Sequence, residues 1–244
     1  GVVRASDLAG DYLGTPEVSA ATLPASLVSA LPSAELRVPQ TAPPTVFGAP
    51  DAELLAPLAM SKVTRVKLNQ GGTSISLRID FENGTRAAFK PEQIHLQSDP
   101  RREIAAFRID RLLRIGRVPP AKPTTIPVEE LLAATDPSHR RFIGERLRDE
   151  AIIRGGQVHG ELSWWIPEIK VAKVGRHDLD DKEGKLLWSS YLQVGATIPA
   201  NERFLVEQIS ALVLFDVLID NPDRWTGNNT MMSTDGNTLF FMDN

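Results

Sequence analysis

Asp223 begins the segment Asp223-Arg224-Trp225-Thr226-Gly227-Asn228, which puts an asparagine five residues after an aspartate. Asp243 lies twenty residues after Asp223, at the end of an apolar run, and Asp235-Gly236 between them reads as the turn of a hairpin. Transfer of a phosphoryl group from ATP needs a set of this kind. One carboxylate accepts or orients the proton of the attacking hydroxyl, while an amide and a second carboxylate hold the divalent ions that bridge the phosphates. A kinase catalytic loop has the pattern Asp-x-x-x-x-Asn, followed after a short hairpin by a metal-binding Asp. Taken alone, Asp-Arg and Asn-Asn in a loop are turn formers and surface pairs.

Two residues further up the chain bear on that choice. Lys90 ends the third strand of an expected meander whose first turn, Asn69-Gln70-Gly71-Gly72-Thr73, is rich in glycine. A lysine there can reach the α- and β-phosphates beneath the turn, with Gly71 and Gly72 letting the backbone approach the nucleotide. Its ordinary role is to discourage edge-to-edge pairing. Glu103 falls in the first turns of the next helix, where a carboxylate complements the helix dipole. It can also pair with Lys90 and aim the ammonium at the phosphates. Phe107 and Asp110 share the face of Glu103, and Asp110 is expected to pair with Arg114. Glycine turn, strand lysine, helix glutamate, Asp-x4-Asn loop and final aspartate stand in the order of a kinase, each on the element that the chemistry needs.

The elements that must carry these residues are legible in outline. Residues 1–57 hold Pro16, Pro24, Pro32, Pro39, Pro43, Pro44, Pro50 and Pro57 and read as an extended arm or linker, with order starting near Ser61. Lys62–Leu68 reads as a strand. Ile75, Leu77, Ile79 and Phe81 alternate with polar residues as a half-buried strand does. Glu82-Asn83-Gly84 is a hairpin turn, and Arg86–Lys90 is a third strand. Ser98 or Asp99 caps a helix whose apolar face is expected at Ala105, Ile109, Leu112 and Leu113, with Gly116 at its end. Helices are expected over 128–134, 138–152 and 201–218. A strand or hairpin turning at Gly160 is expected over 157–166, and a charged loop over 178–184.

The totals exclude several classes. A formal net charge of -4 argues against a dedicated nucleic-acid binder. With no cysteine there is no disulfide, thiolate zinc site or cysteine nucleophile. No apolar run reaches the roughly 18 residues of a membrane span. His95, His139, His159 and His177 show no close metal-ligand spacing. Trp164 and Trp165 read as core or interface before they read as a stacking platform. Arg140, Arg141, Arg146 and Arg148 read as a solvated helix face paired with Glu145 and Glu150.

Several stretches resemble the secretory-pathway kinases of the four-jointed and Golgi casein kinase type. They are Phe89-Lys90-Pro91, the Glu103-x-Ala-Ala-Phe107 helix joined to Val118-Pro119-Pro120, Phe215-Asp216 through Asp223-Arg224, and Phe241-Met242-Asp243-Asn244. The Asp-Arg loop is also similar to HipA-type and phosphoinositide-type kinases. The resemblance covers about residues 61–244, most weakly over 121–156. It implies an α+β, two-lobed protein-kinase-like fold, with an antiparallel sheet and a helix in the N-lobe and a mainly helical C-lobe. The N-lobe would run over 58–158, and 159–244 would hold the hinge and the first part of the C-lobe.

By position, the resemblance implies that Lys90 pairs with Glu103, that Asp223 is the catalytic aspartate, and that Asp243 binds manganese or magnesium, with Glu103 also at the metal. Asn228 is the amide ligand of the loop pattern. Residues 160–167 would lie near the adenine, with Glu161 and Leu162 as nucleotide-binding positions. Trp225 stands where related kinases often carry His, and Ser76 where some carry a second lysine, for which Lys67 is a substitute. Because the sequence stops just after the metal aspartate, a shortened or cleaved chain is expected, or a second chain that completes the C-lobe. The expected activity is ATP-dependent phosphorylation of a protein Ser/Thr hydroxyl. The alternatives are a glycan or sugar kinase, and a pseudokinase-like nucleotide-binding scaffold or activator. An extracytoplasmic place follows from the resemblance only.

Overall fold

The structure, a computed structural model, describes residues 45–69, 74–95, 98–226 and 229–244. All lie in one of the chain's two units, Ala42–Asn244. Gly71, Gly72 and Asn228, and most of the proline-rich arm, lie outside the described residues.

Helix α1 covers Asp51–Met60 and leads into the meander β1 (Val63–Leu68), β2 (Leu77–Phe81) and β3 (Arg86–Pro91). Helix α2 (Pro100–Leu112) follows, then β4 (Ala121–Pro127), α3 (Val128–Ala133), α4 (Pro137–Glu150), β5 (Ile153–Arg154) and β6 (Gln157–Trp164). The six strands form one antiparallel sheet in the order β1-β2-β3-β6-β4, with β5 also on β6. The period-two pattern holds: Ile75, Leu77, Ile79 and Phe81 are all buried. They share a core with Phe89, Val158 and Leu162 of the sheet and with Leu131, Ile143 and Leu147 of α3 and α4. The turn at Gly84 has φ 81, a conformation that glycine adopts without a Cβ penalty.

Beyond Trp164 the chain forms β7 (Ile169–Val171), the small hairpin of β8 (Lys173–Val174) and β9 (His177–Asp178), α5 (Lys182–Tyr191), α6 (Arg203–Ile219), and the hairpin β10 (Thr230–Ser233) with β11 (Leu239–Phe241). The order in this second sheet is β11-β10-β7. Leu205, Ile209, Leu212 and Phe215 of α6 pack with Leu239 and Phe241 into a second core, to which α2 contributes Ala106. Among the described residues no helix is long and apolar enough to cross a membrane.

Four expectations are corrected, and one strand is added. Regular structure starts earlier than Ser61, because α1 runs through Pro57. A helix-interior proline costs about 3 kcal/mol. Burial of Leu58, the packing of Leu55 and the two bonds from Arg111 to Asp51, at 2.8 and 2.9 Å, offset it, since one buried leucine alone contributes roughly 1.5–3 kcal/mol. Strand β4 was not anticipated: Pro123 and Pro127 argue against a strand, but β4 is the sheet edge, where a missing N–H is tolerated.

Gly160 is not a turn. It sits inside the continuous β6, where a Cβ would come 2.5 Å from the Lys90 carbonyl oxygen, so glycine there permits close backbone approach. The charged segment 178–184 closes β9 and opens α5, whose cap is the Asp181 carboxylate accepting from Gly184 N at 2.5 Å. Finally, α2 buries Glu103, Ala106 and Asp110, whereas Leu112 is 80% exposed. Of the periodic apolar positions Ala105, Leu112 and Leu113 are exposed and Ile109 packs on the second core, because the innermost side of the helix serves a polar site.

Candidate active site

Lys90 lies near the end of β3, opposite Glu161 of β6 in the strand register. Opposed residues in an antiparallel pair share a sheet face, and this face is turned away from the apolar core. Helix α2 packs here, against β4 and β6. It starts where Asp99 accepts from Arg101 N at 2.9 Å and Pro100 fits the first turn. That start sets Glu103 on the buried side.

The Lys90 Nζ donates to Glu103 Oε1 at 2.6 Å and to Asp243 Oδ1 at 2.6 Å. Three segments far apart in sequence meet at one ammonium. Burial opposes the charge on Lys90, but the carboxylates of Glu103 and Asp243 outweigh it, and the lysine pKa is raised. Lys90 in turn holds the Asp243 carboxyl below its usual range, against the effect of burial. Glu161 behaves oppositely. Burial, reinforced by the negative charge of Glu103, pushes it up to about 8, against the Ser163 hydroxyl that donates to it and the charge of Lys90. Burial therefore favours the protonated form of Glu161, whereas Lys90 favours the ionised form of Asp243.

Asp243 has φ 55. Left-handed backbone is uncommon outside glycine, with Asp and Asn the usual exceptions. Here it lets the chain leave β11 so that the Asp243 carboxylate meets Lys90 while Asn244 turns back onto α2. Asn244 donates to Glu103 from its backbone N at 3.0 Å and from Nδ2 at 3.2 Å.

Asp223 lies in the turn after α6, exposed to solvent. Helix α6 stops at Asp220, φ 54, whose N–H closes onto Asp216 O. Asn221 then ties the loop to Asp243: its Oδ1 accepts from Asp223 N at 3.1 Å and its Nδ2 donates to Asp243 O at 3.2 Å. Thr226 and Asn229 donate to the Asp223 carbonyl, at 2.8 Å from Thr226 Oγ1 and 3.3 Å from Asn229 Nδ2.

The structure brings Lys90, Glu103 and Asp243 into direct contact, and links Asp223 to Asp243 through Asn221. Of the two nucleotide-binding expectations on β6, only Glu161 lies on the site's face. Leu162 points into the apolar core with Phe89, because successive strand residues face opposite ways. Asp110 does not pair with Arg114, which leaves the helix with φ 58. Instead Asp110 is fully buried, bonds to Arg111 and accepts from Arg117 N at 2.9 Å, so it pins the start of the Val118-Pro119-Pro120 segment. Trp164 packs against the sheet core and against Phe47, 5.8 Å between ring centres. Sequence reasoning assigned no role to Asn221, Asn244 or Arg224. Their signal was their place beside aspartates already singled out.

The donors suit a hard divalent cation. Glu103 and Asp243 offer only oxygen, and magnesium-like ions are commonly held by one or two carboxylates plus substrate phosphates. A closed protein cage does not fit, since among the described residues no group of three or more His, Cys, Asp or Glu is arranged to hold a metal.

Comparison with solved structures defines the class of fold. The chain adopts the kinase-like fold of the Golgi casein kinase, with TM-score 0.57 and 19% identity over 79% of this chain and 55% of that one. A Golgi casein kinase structure with Mn/ADP bound matches with TM-score 0.53 and 16% identity, covering 78% of this chain and 55% of that one. A hydra Fam20 structure with sugar matches with TM-score 0.52 and 18% identity, covering 78% and 64%. Among characterised proteins, the chain is 26% identical over 211 residues to the human extracellular serine/threonine protein kinase FAM20C, covering 70% of this chain and 36% of the relative. It is 25% identical over 222 residues to human glycosaminoglycan xylosylkinase, covering 77% and 54%. The chain thus spans between about a third and just over half of these relatives. No protein-family model matches it. These likenesses bear out the resemblance on its Golgi casein kinase side.

Proposed function

We propose that this chain carries the ATP-binding and catalytic part of a kinase that transfers the γ-phosphoryl group to a hydroxyl, most readily of protein Ser/Thr. The observation that carries the reading is the Lys90 ammonium held at 2.6 Å from both Glu103 and Asp243. Nucleotide lies between the body of the six-stranded sheet and the body of α6, the two lobes of the fold. Lys90, aimed by Glu103, binds the α- and β-phosphates. Asp243 and Asn228 hold manganese or magnesium, with Glu103 beside them. Such an ion supplies neutralisation of phosphate charge. Asp223, exposed at the loop, accepts or orients the proton of the acceptor hydroxyl. Glu161, protonated and behind Lys90, keeps a third negative charge out of the cluster and leaves Lys90 free to face phosphate.

A glycan hydroxyl is the second acceptor class, because the similar proteins include a xylosylkinase and a sugar-bound structure. The test is ATP turnover by the full chain with manganese and then magnesium, beside Asp243→Ala and Asp223→Ala. Metal-dependent turnover that both substitutions abolish, with nucleotide binding retained in Asp223→Ala, is the expected result. Peptide and glycan acceptor panels then separate the two classes. Retained turnover in Asp223→Ala sinks the catalytic assignment. Activation of a partner kinase that survives Asp223→Ala establishes a scaffold instead.

A further inference from the structure

Arg224 heads the largest fully buried side chains among the described residues. Its Nε donates to both Asp216 oxygens, at 3.1 and 3.2 Å, and its Nη2 donates to Asp216 Oδ1 at 3.0 Å and to Asn244 Oδ1 at 2.5 Å. The Asn244 amide then donates to Glu103 Oε2, and its backbone N to Glu103 Oε1, the oxygen that also receives Lys90. An unbroken path runs from α6 through the Asp223 loop and the residue after Asp243 to α2 and β3.

We infer that Arg224 and Asn244 are positioning residues that lock Glu103, and through it Lys90, to the loop carrying Asp223. The inference rests on the kinase reading for what is positioned, and on geometry alone for the link. The amide of Asn244 is a dipolar adaptor: its oxygen faces a guanidinium and its nitrogen faces a carboxylate. A flipped amide would set NH2 against Arg224 and oxygen against Glu103, two repulsive contacts, so the charges on either side fix its orientation. Aspartate could satisfy Arg224 but would repel Glu103, and alanine would break both bonds.

A purely structural reading explains less. A buried ion pair is weak evidence for stability, because desolvation can exceed the Coulombic gain. Arg224 also leaves its Nη1 buried with no hydrogen-bond partner, a costly arrangement for a residue retained only to hold the fold together. Its Nη2 serves the active-site side instead. Neither residue contacts the reacting atoms. Their effect is to fix the separation of the lysine–glutamate pair from the loop aspartate, and errors of about 1 Å there cost on the order of a hundredfold in rate.

The experiment uses the full chain with Arg224→Gln, Asn244→Ala, Asn244→Asp and the Arg224→Gln/Asn244→Ala pair. Melting is followed alongside kcat, KM for ATP, and amide hydrogen exchange over 100–112 and 220–226. Each single change is expected to lower kcat by about tenfold or more, a loss of transition-state positioning. The pair should be no slower than its slower parent, because both act through one chain of bonds. Exchange should rise in both segments for either change, although Arg224 does not touch α2. Additive rate losses, unchanged kcat in folded variants, or exchange that rises only beside the substituted residue would overturn the inference. Should Arg224→Gln fail to fold, Asn244→Ala at its half-buried position decides alone. If the wild type turns over no ATP, the kinase reading fails, while the exchange measurement still decides whether the link exists.

Discussion

The two faces of the six-stranded sheet are covered by helices that obey different rules. On one face Leu131 of α3 and Ile143 and Leu147 of α4 share a core with Leu77, Ile79 and Phe89, all apolar. On the other, α2 buries the charged Glu103 and Asp110, while Leu112 and Leu113 at its end face solvent. Burial of apolar area is non-directional, so the first face needs only complementary volume. Buried charges need partners at set distances, so the second face is specified by individual bonds. Stability should be concentrated on the first face and chemistry on the second.

Four substitutions test that division, in falling order of effect. Leu147→Ala should cost about 2–5 kcal/mol, the usual range for a core leucine, measured by urea unfolding. Its folded fraction should keep wild-type kcat, and a lowered kcat would mean that the faces are coupled. Lys90→Met should lower ATP turnover roughly 100- to 1,000-fold, as loss of one preorganised charge does. Little change in turnover would remove Lys90 from the mechanism.

Glu161→Gln tests the buried acid through pH. The folded pKa of Glu161, about 8, lies above the ordinary carboxylate value. The folded state therefore holds a proton that the unfolded state has released, and stability falls as pH rises between about 4.5 and 8. Gln mimics the protonated form. Its melting curve should match the wild type near pH 5 and show a gain at pH 8.5 on the order of 1–3 kcal/mol, the usual penalty for an uncompensated buried group. Parallel melting curves at the two pH values would mean that Glu161 is charged throughout. At the small end, Arg141→Ala breaks an exposed pair with Glu145 on the outer side of α4. It should leave stability essentially unchanged, since solvent screens an exposed pair, and a clear loss would give that surface an unsuspected packing role.

Legibility in the sequence followed the same division. The meander was readable because alternation of Ile75, Leu77, Ile79 and Phe81 states a face directly. Helix α6 and the β10–β11 hairpin were readable from an apolar run and an Asp-Gly turn. The identities of Lys90, Glu103, Asp223 and Asp243 could be listed from spacing and order. Where α2 turns could not, because its buried side carries Glu103 and Asp110 while Leu112 of its apolar pattern is exposed. Nor could the burial of Leu162, since a neighbouring position on the same strand faces the site.

The amino-acid sequence by itself determined the β1–β3 meander, helix α6 and which side chains can hold phosphate or a cation, because those properties depend on residue type and near neighbours. Only the tertiary structure decided that Lys90 lies between Glu103 and Asp243, that burial raises the Glu161 pKa, and that Arg224 reaches Glu103 through Asn244. Each of these depends on groups separated by many residues and on the dielectric around them, and both exist only once the two cores have closed around the site.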